Sequence, residues 1–401
     1  MRTALQNLTI AVLYFLTGWL GLQLPSYADN VTLVWPPVGI ALAGVVLVGP
    51  RVAPGIALGL ALINLANGSW LSYLTIVVGN TLGPVLAGTL LTRRLQFRPQ
   101  FDRFRDVLAF TAIGVLGCSL VTATLGTASL VVIGVAPVSE LPTAWALWLA
   151  GDAAGVLIVA PMALTWLSPP STAMPQRRPP NEVGGLVGGL LAAGALMLTY
   201  GNEIPSLAYG LFPFLIWSAL RFGPRGATAT TLAITGIALC GTAAGIGPFV
   251  DVGPDGSPGG HQRMVSLWAF FSLTAISALL LTALLAERDQ ALRQRERVMH
   301  ELDHRVKNTL ATVLAVAQQS SATASDVSDY VETFTGRIHA LARSHEALAK
   351  SQWEGLALDT IVAAVLSPYG TSAAGRAHTQ GDPIVLSAGT TGPLTMVLHE
   401  L

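Results

Sequence analysis

Charged side chains are scarce in this 401-residue chain: 11% of the residues are charged and 52% are hydrophobic, whereas soluble domains carry about a quarter charged residues. The first 286 residues contain 12 arginines, nine acidic residues and no lysine, and residues 287–401 hold the other 10 basic and 13 acidic residues. This shortage excludes a single soluble enzyme domain and a nucleic-acid binder with a basic surface. The pattern predicts an integral-membrane part with a soluble tail.

Cysteine is almost absent as well. Cys118 and Cys240 are the two cysteines, and both lie inside apolar stretches. Without spaced cysteines or a Cys/His cluster the sequence predicts neither a disulfide framework nor a zinc site, and we expect no metal centre.

Apolar stretches of bilayer-spanning length predict an all-α, polytopic membrane domain over residues 1–286. The count is about ten, or eight if the stretches broken around Pro36-Pro37 and Pro54 do not cross. The first stretch is too long for the core of a secretory signal, and more follow it. The predicted spans are 8–24, 31–49, 52–66, 70–91, 107–133, 143–167, 184–200, 207–220, 226–247 and 264–286.

The arginines predict one orientation. With ten spans and a cytoplasmic tail, all arginines before residue 286 except Arg263 fall on the cytoplasmic side, which is the bias that membrane insertion produces. The opposite loops hold acidic residues instead: Asp29, Glu140, Glu203, Asp251 and Asp255. Both termini are therefore predicted to be cytoplasmic.

Two polar features at membrane depth are candidate sensing sites. Asp152 lies in the apolar segment WLAGDAAG, where inserting a carboxylate into the membrane costs about 2.5 kcal/mol or more. Asp152 is either a sensing or proton-linked site, or a group that ties helices together or lies near a helix end. Trp35, Pro36 and Pro37 lie in VTLVWPPVGIAL. They indicate either a helix break beside a cavity or a kink with an interfacial tryptophan.

The segments WPPVGIALAGVVLVGPRVAPGIALGLALINLANG and WLAGDAAGVLIVAPMALTW resemble the first type of bacterial membrane-associated sensor (MASE) domain, over roughly residues 8–286. The resemblance implies a sensory module of the bacterial cytoplasmic membrane, in contact with lipid, that precedes histidine kinases and cyclic-di-GMP enzymes. It supplies no stimulus. Because the outside loops are short, we expect a stimulus ligand to bind within or between the spans.

The last span continues without Gly or Pro into residues 287–300, which we interpret as a signalling helix. Its apolar residues recur every seven positions, as in a coiled coil, although an ordinary amphipathic helix shows the same stripe: Leu285, Leu292, Met299, Val306 and Val313. A second helix is predicted at 326–350 after the polar linker SSATAS. The two predict a helical hairpin over 301–350, and two hairpins form a four-helix bundle.

His304 lies off this stripe. Glu301 and Asn308 share its exposed face by helical spacing, and Asp303 lies in the same turn. An exposed imidazole can act as a nucleophile or proton carrier, although a lone surface histidine is usually neither.

The string ELDHRVKNTLATV, followed by RIHALARSHEAL and WEGLALDTIVAAVLSPYG, resembles sensor histidine kinases of the HWE type over roughly residues 298–401. The resemblance implies that His304 is phosphorylated on nitrogen, that Asp303 or Glu301 accepts or orients its proton, and that Asn308 positions the acceptor or a water. It also implies ATP, Mg²⁺, a response regulator as partner and a homodimer. His339 and His345 are interpreted as packing residues of the hairpin.

The segment PLTMVLHEL resembles the start of that family's ATP-site motif, in which His399 and Glu400 would be the first nucleotide-binding residues. The asparagine, acidic and glycine-rich motifs that complete the site are missing, so residues 351–401 are predicted to form only the first part of an α/β ATP-binding domain. We expect a truncated form of a longer protein that is inactive alone. The alternative is a receptor that accepts phosphate from another kinase.

The leading prediction is a membrane-bound sensor histidine kinase of a two-component system. One alternative is a transporter-like protein with a regulatory helical tail, because broken helices and an intramembrane carboxylate are typical of transporters. The other is a scaffold without catalytic activity. No nucleic acid is predicted as a partner.

Overall fold

The computed structural model divides the chain into two compact units, Met1–Leu292 and Arg293–Leu401, which we call the membrane unit and the tail unit. Both are almost entirely helical. The structure describes residues 1–23, 26–27, 31–66, 74–132, 137–169, 180–250, 262–350, 355–366, 380–387, 390–391, 394–395 and 397–398.

Nine α-helices lie within the described part of the membrane unit, and a tenth begins there. They are α1 (Arg2–Leu22), α2 (Pro36–Val48), α3 (Ala53–Ala66), α4 (Leu74–Arg93), α5 (Phe104–Ala109), α6 (Cys118–Val132), α7 (Leu141–Leu167), α8 (Pro180–Tyr200), α9 (Phe212–Ala243) and α10 (Gln262–Thr323). A π-helical segment, Phe110–Gly117, joins α5 to α6. Strands β1 (Ser26–Tyr27) and β2 (Val31–Thr32) form a short antiparallel pair.

Within the described residues, each of the ten predicted apolar stretches overlaps one of these helices. Six helical segments of the described chain are long and apolar enough to cross a membrane, and two apolar helices are shorter, so the number of spans stays a prediction. The six are Arg2–Leu22, Phe104–Val131, Val138–Leu167, Pro180–Tyr200, Pro205–Ala243 and Met264–Thr323.

Two corners of the membrane unit share the sequence Gly-Pro-Arg. Gly49 and Gly223 have φ angles of 101° and 62°, a backbone region that favours glycine. The proline that follows each of them starts a new helical segment, so Gly223 separates the predicted stretches 207–220 and 226–247 within α9. Arg225 then donates to the carbonyls of Thr165 and Ser168 at the end of α7, where a cation is favourable.

The core of the membrane unit brings α2, α7 and α10 together. Val38 and Leu42 of α2 pack in one buried cluster with Leu157 of α7 and with Leu279 and Ala283 of α10. The segment of α10 within the membrane unit is therefore an integral part of that unit's core.

The tail unit is built around a helical hairpin, as predicted. Helix α10 continues unbroken to Thr323, so the linker is shorter than the predicted SSATAS, and α11 (Val327–Lys350) follows. Strand β3 (Leu356–Ala357), helix α12 (Leu358–Leu366) and strand β4 (Val385–Leu386) come next, with β3 antiparallel to β4. The described part of the tail unit thus includes one strand pair, and the predicted α/β ATP-binding domain stays a prediction.

Candidate functional site

In the membrane unit, the segment that contains Trp35 and the segment that contains Asp152 contact each other directly. The backbone N–H of Trp35 donates to the carbonyl of Gly151, with 2.9 Å between N and O. A Cβ atom on Gly155 would lie 1.9 Å from the carbonyl oxygen of Trp35, so only glycine permits this approach. Pro36 and Pro37 occupy the first turn of α2, where proline is tolerated. The predicted mid-span break or kink is therefore wrong, because these prolines begin a helix.

Asp152 is the twelfth of the 27 residues of α7 and is 1% exposed, so it does not lie near a helix end. The hydroxyl of Thr122 on α6 donates to its Oδ2 at 2.5 Å. The Trp148 side chain is a second hydrogen-bonding neighbour, one turn before it on α7. Asp152 therefore ties α6 to α7.

Other buried polar groups surround this carboxylate. Tyr14 of α1 and Cys118 of α6 are both fully buried and interact electrostatically with Asp152. The Ser119 hydroxyl makes no hydrogen bond with any described residue, and the Tyr14 hydroxyl has the Trp35 side chain as a hydrogen-bonding neighbour. Asp152, Thr122, Ser119 and Tyr14 are called the polar centre below.

The Trp35 segment also contacts the helix that leaves the membrane unit. The indole N–H of Trp268 on α10 donates to the carbonyl of Leu33, with 2.7 Å between Nε1 and O. Leu33 lies two residues before Trp35, which in turn bonds Gly151, the neighbour of Asp152. One short segment thus joins α10 to the position of Asp152 on α7.

In the tail unit, His304 lies on the exposed surface of α10. The ring of His300, one turn earlier, packs edge-on against it, with 5.1 Å between ring centroids and 88° between the planes. His300 was not identified from the sequence, although its i, i+4 spacing from His304 is visible there. The two rings form one exposed imidazole pair.

The carboxylates next to His304 are held by cations. Arg305 donates to Glu301 at 2.5 Å, and Lys307 donates to Asp303 at 2.7 Å, both between residues four apart on α10. Asn308 is exposed, and its backbone carbonyl accepts from the Thr312 hydroxyl. The ion pairs fix the side chains on either side of the imidazole without selecting one carboxylate as its partner.

An open groove runs beside His304 between α10 and α11. Val298, Leu302, Val306 and Leu310 line it and are each at least half exposed, and His345 lies at its α11 side. Apolar side chains exposed in this pattern mark a surface for protein contact.

The hairpin is closed by a buried polar contact as well as by apolar packing. Arg337 of α11 is 4% exposed and donates from Nη1 to the Ser320 hydroxyl of α10, at 2.9 Å. Leu341 and Leu348 of α11 are buried too. His339 is exposed, so the prediction that it packs inside the hairpin is wrong.

The predicted nucleotide-binding residues His399 and Glu400 lie outside the described residues. In the part of the chain that the structure describes, no group of three or more His, Cys, Asp or Glu side chains could hold a metal ion. Those residues do not form a site that fits magnesium and ATP.

Comparisons with known proteins agree with both units. Residues 6–289 match the MASE1 family, and residues 301–383 match the HWE histidine kinase family. The blue-light-activated histidine kinase of Brucella anthropi is 34% identical over 116 residues, which is 29% of this chain and 23% of that protein. Its counterpart in Brucella ovis is 31% identical over 115 residues, 29% of this chain and 24% of that protein.

The chain thus spans about a quarter of the length of the curated relatives that it matches. The match to the MASE1 family covers most of the chain, and the helical hairpin lies within the second match. The chain belongs to the MASE1 family, with a MASE1 domain at residues 6–289 fused to an HWE histidine kinase domain at residues 301–383.

Proposed function

We propose that the chain is a membrane-bound sensor histidine kinase whose phospho-acceptor is His304. The observation that carries the proposal is the exposed imidazole of His304 on α10, inside the matched kinase segment and flanked by two ion pairs. A phospho-acceptor must reach both a nucleotide and a partner protein, so its ring must be accessible.

The chemistry needs a neutral imidazole nitrogen. That nitrogen of His304 attacks the terminal phosphorus of the nucleotide, ATP by the family resemblance, as the bond to the nucleoside diphosphate breaks and the proton of the imidazole passes to a base. Asp303 and Glu301 are the nearby carboxylates. Because each is ion-paired, their first role is to keep Lys307 and Arg305 beside the incoming phosphate, where the cations offset its charge.

Residues 399 and 400 are proposed as the beginning of the nucleotide site. The described residues do not build the remainder of that site, so the nucleotide and its Mg²⁺ would be held by residues outside the described part. What the described residues provide is the acceptor, its flanking charges and the hairpin that presents them.

The exposed groove beside His304 favours the binding of two partners to the proposed kinase. A second hairpin would bury Leu302, Val306 and Leu310, as in a dimeric four-helix bundle. A response regulator would accept the phosphate on an aspartate from the exposed His304 side. The phosphoramidate of histidine favours this onward transfer because its P–N bond is readily broken.

We propose a bacterial cytoplasmic membrane location with both termini cytoplasmic. The support is the placement of arginine: Arg51, Arg93 and Arg225 lie at helix ends or corners that ten alternating spans put on one side, together with the tail unit. The proposed domain boundaries are 286/287, 300/301 and 350/351.

The test uses the polypeptide expressed from its native gene, in membranes, incubated with γ-labelled ATP. We expect acid-labile, base-stable label that His304→Ala abolishes and His300→Ala, the matched control on the same helix face, retains. Label that survives His304→Ala would overturn the assignment of the acceptor. Supplying a purified partner kinase then distinguishes a chain that phosphorylates itself from one that only accepts phosphate.

A further inference from the structure

The polar centre of the membrane unit has no assigned role, and its charge is not balanced. Asp152 is 1% exposed at mid-helix, and among the described residues no cation forms an ion pair with it. The arginines with described contacts bind elsewhere: Arg221 pairs with Glu182, and Arg225 with carbonyls at the end of α7. A buried carboxylate without a countercharge is strongly unfavourable, so it takes up a positive charge.

Two further helices, α6 and α1, carry polar side chains near this carboxylate. Thr122 and Ser119 lie one helical turn apart on α6, and Thr122 already contacts the carboxylate. Ser119 is fully buried and its hydroxyl has no partner among the described residues. Tyr14 of α1 is fully buried, interacts electrostatically with Asp152 and has the Trp35 side chain as a hydrogen-bonding neighbour.

Buried polar atoms in folded proteins are nearly all hydrogen-bonded, and each exception calls for an explanation. Here the Ser119 hydroxyl is an exception that accompanies an unbalanced carboxylate. Asn80 is a second exception: its Oδ1 has no described partner, and Gly83, one turn later on α4, lies against Thr122. Oxygen atoms of this kind are the ligands that hard cations prefer, and they also accept hydrogen bonds from a protonated carboxyl group.

We propose that the polar centre binds a single positive charge, a proton or Na⁺, between Asp152 and the oxygens of Thr122, Ser119 and Tyr14. The occupant neutralises the carboxylate and supplies a partner to the Ser119 hydroxyl. A monovalent ion suits the site, because one carboxylate balances one charge.

The other titratable groups around the site do not replace Asp152. Helix α2 and the π-helical segment carry no ionisable residue, α6 contributes Cys118, and α1 contributes Tyr14. Both are uncharged in their ordinary state near neutral pH. Asp152 is therefore the group of the centre that changes charge.

The occupied site would also be connected to α10 through hydrogen bonds. Gly151 bonds Trp35, and Leu33 bonds Trp268 of α10. The idea that ion occupancy is the stimulus of the sensor rests on the proposed function. The proposal that the site binds an ion does not.

The test measures thermal unfolding of the full chain in lipid nanodiscs, from pH 5 to 9, in NaCl or in choline chloride at equal ionic strength. A ligand that binds the folded state raises the Tm as its concentration rises. We expect the wild-type Tm to rise with proton or with Na⁺ concentration, and the responding ion identifies the occupant. Asp152→Asn removes that response.

Asp106→Asn is the matched control, because Asp106 is a second carboxylate that is 1% exposed in the same unit but has Arg103 and Arg105 as its neighbours. It should keep the response. Thr122→Val, which conserves shape, should raise the ion concentration at half-response about tenfold, and it tests the site even if Asp152→Asn does not fold. An unchanged half-response in Thr122→Val, a response retained in Asp152→Asn, or a wild-type Tm independent of both ions overturns the proposal. No nucleotide is present, so a failure of His304 phosphorylation would not affect these results.

Discussion

Glu287 on α10 accepts a hydrogen bond from the backbone N–H of Phe104, the first residue of α5, with 3.0 Å between Oε1 and N. The residues are 183 positions apart. Arg103, at the cap position of α5, supplies no side-chain hydrogen bond to the helix, so a carboxylate from another helix does so. This contact fastens α10 to the start of α5 just after the last predicted span.

Glu287→Ala should loosen that attachment. Losing a helix cap costs about 1 kcal/mol, so the amides of residues 104–107 should exchange hydrogen about fivefold faster. Hydrogen exchange of the full chain in nanodiscs measures this. Glu287→Gln keeps an acceptor oxygen without the charge, so its exchange rates should lie between those of Glu287→Ala and wild type. Equal protection of these amides in Glu287→Ala and wild type would show that the contact does not support α5.

Gly155→Ala should disrupt the packing of α2 on α7. Its new Cβ would overlap the carbonyl of Trp35, which is backbone and cannot rotate away. Overpacking of this kind costs about 1–3 kcal/mol, and we expect a lower Tm in detergent.

Gly188→Ala is the matched control for that substitution. A Cβ there meets no atom within 4 Å, and alanine favours a helix over glycine by up to about 1 kcal/mol. Its Tm should stay equal or rise. If the two variants lost the same stability, the α2–α7 contact would not be the reason for glycine at position 155.

The contact between Arg337 and Ser320 predicts a measurable coupling inside the hairpin. Ser320→Ala removes an acceptor from a buried guanidinium and should cost about 1–3 kcal/mol. Arg337→Met replaces the charge by an apolar chain of similar length. In that background, Ser320→Ala should lower the free energy of unfolding by less. A double-mutant cycle on the unfolding of the full chain tests this, with Thr323→Ala as control, since the Thr323 hydroxyl bonds carbonyls of its own helix. Additive costs would contradict the coupling.

The sequence predicted most of the helices because each apolar stretch carries its own signal of length and hydropathy. It also identified Asp152 and the Trp35 segment, since an isolated polar or proline-rich group is conspicuous in apolar sequence. It could not show that Trp35 bonds Gly151, because a backbone hydrogen bond between distant residues leaves no mark on residue type. Thr122 was missed for the same reason: membrane helices contain many threonines, and only packing shows which one meets Asp152.

The prolines at 36 and 37 show where local rules need context. Proline breaks a helix when it lies in the helix interior but is tolerated in the first turn. The sequence alone did not show that the first turn of α2 begins at these prolines. The link between Glu287 and Phe104 joins residues from distant segments, so helical spacing could not predict it.

The start of α11 predicts a pH dependence. Asp329 accepts hydrogen bonds from the backbone N–H and the hydroxyl of Ser325, at 2.8 and 3.1 Å. These bonds favour the carboxylate and hold the pKa of Asp329 below its ordinary value of 3.8. Because the folded pKa is lowered, the stabilisation is fully present above about pH 4 and is lost as the pH falls through the lowered pKa.

Asp329→Asn should therefore reduce the protection of the first turn of α11 at pH 7 and have little effect at a pH below the lowered pKa, where the wild type also loses the charge. Hydrogen exchange of the full chain, with variant and wild type compared at each pH, measures the difference. Asp326→Asn is the control: Asp326 accepts from the backbone N–H of Asp329, and asparagine is an equally good helix cap, so protection should change little at either pH. An effect of Asp329→Asn that is as large below the lowered pKa as at pH 7 would show that the side chain acts through shape and not through its charge.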